Sequence, residues 1–145
     1  MWSYGDSTGL AAEPLVAHPR GGKQGTAAYW DDPNNSTSGA PDLGKNYADG
    51  AAFNGTIPGK CWAHPGPHGE YSTFRFTAPS SGTYRIDVQF FAGDGGETDG
   101  AVLRGTEVLF EHTTSSNPTY SDSLELDAGE TIDAAVGITG SETFY

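Results

Sequence analysis

Residues 71–92 read Tyr-Ser-Thr-Phe-Arg-Phe-Thr-Ala-Pro-Ser-Ser-Gly-Thr-Tyr-Arg-Ile-Asp-Val-Gln-Phe-Phe-Ala. Phe74 and Phe76 alternate with Arg75 and Thr77. After a Pro-Ser-Ser-Gly turn, Tyr84, Ile86, Val88 and Phe90 alternate with Arg85, Asp87 and Gln89. A period of two belongs to a strand with one buried face and one wet face, as in antiparallel sheets. The same pattern returns in Leu124 and Leu126, and in Ile132, Ala134, Val136 and Ile138. Strands are therefore expected at 70–78, 83–92, 99–104, 107–111, 120–126 and 131–138. Arg104-Gly105 and Asp127-Ala128-Gly129-Glu130 carry turn chemistry. No window holds a helical period. The expected fold is an all-β, two-sheet antiparallel sandwich. Its expected core is Phe74, Phe76, Tyr84, Ile86, Val88, Phe90, Leu124, Leu126, Ile132 and Val136.

The first 60 residues are turn-rich and weakly periodic. Gly21-Gly22, Asp32-Pro33-Asn34-Asn35, Gly39-Ala40-Pro41 and Asn54-Gly55 are loop signals, with short strands expected near 27–30 and 51–53. The Pro/Gly stretch 61–70 reads as a stiff loop that orients Trp62 and Tyr71. With 145 residues, 21 Gly and 9 Pro, one turn-rich domain spanning 1–145 is expected. Met1 reads as an added start on a processed or recombinant fragment. No apolar run reaches membrane-span length, which argues against membrane insertion. The formal charge is −12, from 19 acidic against 7 basic residues, which argues against nucleic acid. Cys61 is alone, so no internal disulfide forms; it reads as a partly buried small residue.

Several constellations bear on chemistry. Gly5-Asp6-Ser7-Thr8-Gly9 matches the G-x-S-x-G nucleophile elbow in letters only, because no strand of adequate length precedes it and no helix follows. His64 and His68 flank Pro65-Gly66-Pro67, which excludes a shared helical face, and no zinc-ligand spacing recurs. Asp94, Glu97 and Asp99 sit on a Gly-rich connection and are the best metal candidates; hard oxygen ligands of this kind suit calcium. A solvated acidic loop is the plainer alternative. The Asn34, Asn35 and Asn54 sequons mark acceptor sites only in a glycosylating host. For binding, Tyr29, Trp30, Asp31 and Asn34 combine aromatic faces, which stack on sugar C–H surfaces, with groups that hold hydroxyls. Trp62 is a further candidate. Trp2 and Trp62 read more readily as core plugs.

Trp2-Ser3-Tyr4-Gly5, His64-Pro-Gly-Pro-His-Gly-Glu-Tyr71, Phe74-Arg-Phe-Thr-Ala-Pro79, Gly82-Thr-Tyr84 and Ala128-Gly-Glu-Thr-Ile-Asp133 resemble jelly-roll domains of bacterial secreted and surface proteins, including those with PEP-CTERM-type sorting tails. Such domains are similar to the β-sandwiches of carbohydrate-binding modules. The resemblance implies a jelly-roll sandwich, an extracellular or cell-surface location and a polysaccharide or glycan partner. It also implies a further closing strand after Tyr145. Two functions stay open beside a polysaccharide-cleaving enzyme, for which no carboxylate pair stands out. One is a non-catalytic carbohydrate-binding or adhesion module. The other is a structural subunit of an extracellular filament or surface assembly, self-associating by β-edge pairing.

Overall fold

A computed structural model describes residues 1–10, 15–18, 20–24, 27–31, 41–47, 56, 58–91, 98–114 and 117–138. Every regular element among them is a strand. In chain order these are β1 (Trp2–Ser7), β2 (Val16–Ala17), β3 (Arg20–Gln24), β4 (Ala27–Asp31), β5 (Asp42–Asn46), β6 (Cys61–His64), β7 (Tyr71–Thr77), β8 (Gly82–Gln89), β9 (Thr98–Arg104), β10 (Glu107–Thr114), β11 (Thr119–Leu126) and β12 (Thr131–Ile138). All pairings are antiparallel.

One layer is a six-stranded sheet in the order β10-β9-β12-β7-β1-β2. The facing layer has two parts, the pair β11-β8 and the four-stranded sheet β3-β4-β5-β6. From β7 onward the chain crosses between layers. β7 lies in the first and β8 in the second; β9 and β10 return to the first, β11 crosses again, and β12 slots between β7 and β9. This is the jelly-roll weave expected from the sequence. Gly105 closes the β9–β10 hairpin with φ +57°, and Gly129 takes φ +92° where β11 crosses to β12. Both angles suit glycine.

Most of the alternating residues meet as expected; Val136 is only partly buried and lies in neither buried cluster. Ala78, Val102, Leu126 and Ile132 form a buried cluster, packed by Phe76, Tyr84, Ile86, Val88, Phe90 and Leu124, with Leu109, Phe110 and Tyr120 added. A register shift between Val108 and Phe110 is a bulge. It leaves Val108 exposed while Leu109 and Phe110 reach the core. Phe74 meets Tyr4 edge-on, with ring centroids 5.8 Å apart. The outer face of the six-stranded sheet buries Ala101, Leu103 and Ala135 beneath Leu10 and Tyr71.

The first half of the chain holds more strands than its turn-rich sequence announces. Five of the six before Tyr71 were unexpected: 2–7, 16–17, 20–24, 42–46 and 61–64. The segment 61–64, expected as loop, pairs in register with β5. The expected strand at 51–53 lies outside the described residues, as do the terminal residues 139–145. Trp2 is not a core plug: it is 59 % exposed at the sheet's end, its ring tilted against Phe76. Cys61 is exposed rather than partly buried.

Candidate functional site

The four-stranded sheet carries most of the described aromatic candidates, and its register sorts them by face. Gly21, Trp30, Leu43 and Ala63 form one row across β3, β4, β5 and β6, and Gly22, Tyr29, Gly44 and Trp62 form the neighbouring row. Rows one residue apart point to opposite faces. The Trp30 row turns toward the six-stranded sheet. Trp30 stacks on Tyr4 at 4.4 Å and 17°, beside Leu43, which is fully buried. The Tyr29 row turns the other way.

That second row has a particular construction. A Cβ built on Gly44 would fall 2.0 Å from Trp62 Cζ2, and one on Gly22 would fall 2.5 Å from Tyr29 Cζ. Each ring therefore lies down across the backbone of its neighbouring strand. Only glycine leaves room for this close approach. Both aromatics are half-buried. On the same face, one step along the strands, Asp42 pairs with Asp31 and His64. The Asp31 backbone thus lies beside the aromatic row. Asn34 lies outside the described residues. Tyr29 and Trp62 are brought together, and Trp30 faces away from them. The signal for Trp62 lay in its cross-strand partner, a glycine, which sequence cannot pair without the register.

Other polar groups are internally engaged. Ser72 Oγ lies 2.6 Å from the His64 carbonyl and 3.2 Å from that of Asp42, tying β7 to the four-stranded sheet. His18 Nε2 lies 2.7 Å from Asp6 Oδ1, with the His18 side chain fully buried. Ser7 donates its hydroxyl to Gly9 O from within β1. No helix follows it among the described residues, so the elbow geometry of G-x-S-x-G is absent there. A cleft of about 260 Å³ is lined by Ser81, Gly82, Arg104, Glu125, Leu126, Asp127 and Glu130. Its charges serve each other: Arg104 grips Glu130 at 2.8 Å, and Glu130 also accepts the Asp127 amide. Those two contacts, the Arg104 bond first, hold the Glu130 carboxyl below its ordinary range.

Of the expected metal ligands, Asp94 and Glu97 lie outside the described residues. Asp99 accepts a hydrogen bond from Thr113 Oγ1 at 2.6 Å. No cluster of three or more His, Cys, Asp or Glu side chains able to hold a metal occurs among the described residues. His64 pairs its Nδ1 with Pro65 O at 2.7 Å.

His112, on β10, was not singled out from the sequence. Its ring packs against Phe90 at 4.8 Å and Phe110 at 5.9 Å. Both ring nitrogens are buried without a hydrogen-bond partner among the described residues. A Cβ on Gly100 would fall 2.2 Å from Nε2, so glycine again makes the space. Burial lowers the His112 pKa from its ordinary 6.5, and the nearby Asp99 carboxylate opposes this only in part. The folded state therefore prefers the neutral ring, whereas the unfolded chain takes up a proton as pH falls through 6.5. The expected result is a stability contribution fully present above pH 6.5 and lost progressively below it. Urea midpoints at pH 7.5 and 5.0, for the wild type and His112→Leu, test this. The variant should show a smaller drop on acidification; an equal drop in both proteins contradicts the assignment.

No family model matches the chain, and no curated protein matches it in sequence. Among solved structures it is similar to a family 35 carbohydrate binding module from Clostridium thermocellum, at 16 % identity and a TM-score of 0.40, over 61 % of this chain and 75 % of that one.

Proposed function

We propose that this chain is a non-catalytic, extracellular carbohydrate-binding module, and that the Tyr29–Trp62 face of the four-stranded sheet receives the glycan. One observation carries the reading. Two half-buried rings lie down on Gly22 and Gly44 in a single cross-strand row. A core aromatic gains most by full burial. Rings laid on glycine backbone at a sheet face instead present flat apolar surface. Sugar rings offer C–H faces to such a surface, while their hydroxyls need nearby polar partners. Asp42 and His64 occupy the adjacent same-face positions.

Affinity electrophoresis through gels containing soluble neutral polysaccharides tests this reading. The wild type should be retarded by at least one of them. Tyr29→Ala should weaken retention about tenfold, a loss of about 1.4 kcal/mol, measured at a temperature where the variant is folded. Trp62→Leu, which keeps apolar cover over Gly44, should weaken it similarly. Undiminished retention in both variants would place the site elsewhere.

A further inference from the structure

We infer that the free edge of β11 is a strand-pairing surface for a second copy of this chain, and that Asp122 holds it closed. The inference is independent of the carbohydrate-binding reading.

One hydrogen bond fixes which backbone groups face outward. Phe90 N–H donates to the Pro118 carbonyl at 3.0 Å, which continues the β8–β11 ladder by one pair. Hydrogen-bonded and non-hydrogen-bonded pairs alternate along an antiparallel ladder. Tyr120, Asp122 and Leu124 therefore turn their backbone groups toward β8. Thr119, Ser121, Ser123 and Glu125 turn theirs away from it. Among the described residues β11 pairs with β8 alone, so the outward groups form an open row. Such a row is a template for another strand. β10, at the edge of the six-stranded sheet, interrupts its ladder with the bulge between Val108 and Phe110. β11 runs against β8 with no register shift.

Asp122 supplies the protection that β11 otherwise lacks. It sits on the core-facing row of this two-stranded sheet, opposite Ile86 and between Tyr120 and Leu124, which pack against the core. Ile86 is partly buried, whereas Asp122 is exposed. Its carboxylate reaches the edge. Oδ1 accepts the Ser123 N–H at 2.7 Å, and Oδ2 lies 3.4 Å from the Tyr120 hydroxyl. Ser123 N–H is one of the outward donors, so the carboxylate stands where an incoming carbonyl would have to be.

The two longest self-pairing registers are opposed for this reason. Both need Ser123 N–H as a donor. With 119–125 laid against 125–119 of a second copy, the two-fold axis passes through Asp122. The two Asp122 residues then form a non-hydrogen-bonded pair with Cα atoms about 4.5 Å apart, and like charges directly opposite are destabilising. With 120–126 laid against 126–120, the axis passes through Ser123. Each Asp122 then lies opposite Leu124 of the other copy, where its charge loses water without gaining a partner. An inward-pointing charge is a recognised guard of an edge strand, and here it stands near the middle of the strand.

Sedimentation velocity from low to high micromolar concentration tests the inference, with a urea midpoint for each variant to establish that it is folded. The wild type should keep the mass of one copy. Asp122→Val should approach twice that mass as concentration rises. Asp122→Asn removes the charge and keeps an acceptor for the Ser123 amide, so it should associate more weakly than Asp122→Val. Asp122→Lys should stay at one copy, since like charges again meet. Adding Ser123→Pro to Asp122→Val removes an outward donor and leaves the β8 ladder intact; it should return the mass to one copy. Asp122→Val sedimenting as one copy throughout overturns the inference. Association of Asp122→Val that is matched by Asp122→Lys, or that survives Ser123→Pro, places the contact elsewhere and overturns it as well. Wild-type association abolished by Ser123→Pro would show an edge already open and overturns the role of Asp122.

Discussion

Replacing Phe76 by alanine is expected to destabilise the fold by about 3–5 kcal/mol, toward the lower figure because the ring is only partly buried. β7, which carries it, lies between β12 and β1 in the six-stranded sheet. Its ring meets Tyr84 across the sandwich, with centroids 5.5 Å apart, and Trp2 on the same sheet at 5.5 Å. It also packs against the cluster of Ala78, Val102, Leu126 and Ile132. Truncation removes contacts in both layers at once. The strands around it are held by ladders on both sides of β7, so the gap cannot close by a shift of one strand. Urea unfolding should show a lower midpoint with an unchanged slope, the signature of lost stability rather than an altered unfolded state. A loss below about 1 kcal/mol would mean that the layers do not meet at this ring.

The reason Phe76 could be chosen from sequence alone is physical. Where one face of a strand is wet and the other dry, the side-chain period is two, and a slip of one residue would invert every position. Segments 82–89 and 119–126 have this asymmetry, whereas 71–77 and 131–138 alternate in residue type although both of their faces are covered. The early strands lack it. β3 is Arg-Gly-Gly-Lys-Gln and β5 is Asp-Leu-Gly-Lys-Asn. Their glycines have no side chain to sort between faces, and propensity disfavours them in strands. They are strands because their neighbours need them to be: Gly44 admits Trp62 and Gly22 admits Tyr29. That requirement is non-local. It appears only when β4, β5 and β6 are placed in register.

The candidate site was legible to a similar extent. Aromatic and amide chemistry near Tyr29 and Trp30 was visible as a string of residues. Which of two adjacent aromatics faces outward depends on the partner strands. The register assigns Trp30 to Tyr4 and sets Tyr29 with Trp62, some thirty residues on. His112 illustrates the opposite limit. A single histidine in Phe-Glu-His-Thr gives no local cue that both nitrogens will be buried beside Phe90 and over Gly100.

The second large effect is expected on the outer face of the six-stranded sheet. Arg75 and Asp133 are direct cross-strand partners on β7 and β12. The guanidinium donates through Nε to Oδ1 at 2.8 Å and through Nη2 to Oδ2 at 2.7 Å. Their side chains are 15 % and 6 % exposed, so this is a largely desolvated ion pair. Such a pair costs several kcal/mol per ion to remove from water, and the bidentate geometry recovers that cost. Removing one partner is therefore worse than removing both. Asp133→Ala should destabilise the protein by about 3–5 kcal/mol, because the Arg75 charge keeps its burial and loses its bidentate carboxylate. The 15 % exposure of Arg75 and its further contacts favour the lower figure. Replacing both residues by apolar ones of similar size, Arg75→Met with Asp133→Leu, should cost much less than Asp133→Ala alone, and the cycle should show strong coupling. The alternative is that the pair behaves like an exposed surface bridge, whose worth is about 0–1 kcal/mol. In that case Asp133→Ala would cost little and the single effects would add. Urea unfolding of Arg75→Met, Asp133→Leu and the double variant closes the cycle and, with Asp133→Ala beside them, decides between these cases. Additivity within about 0.5 kcal/mol would reject the buried-pair account, since independent sites add to that tolerance.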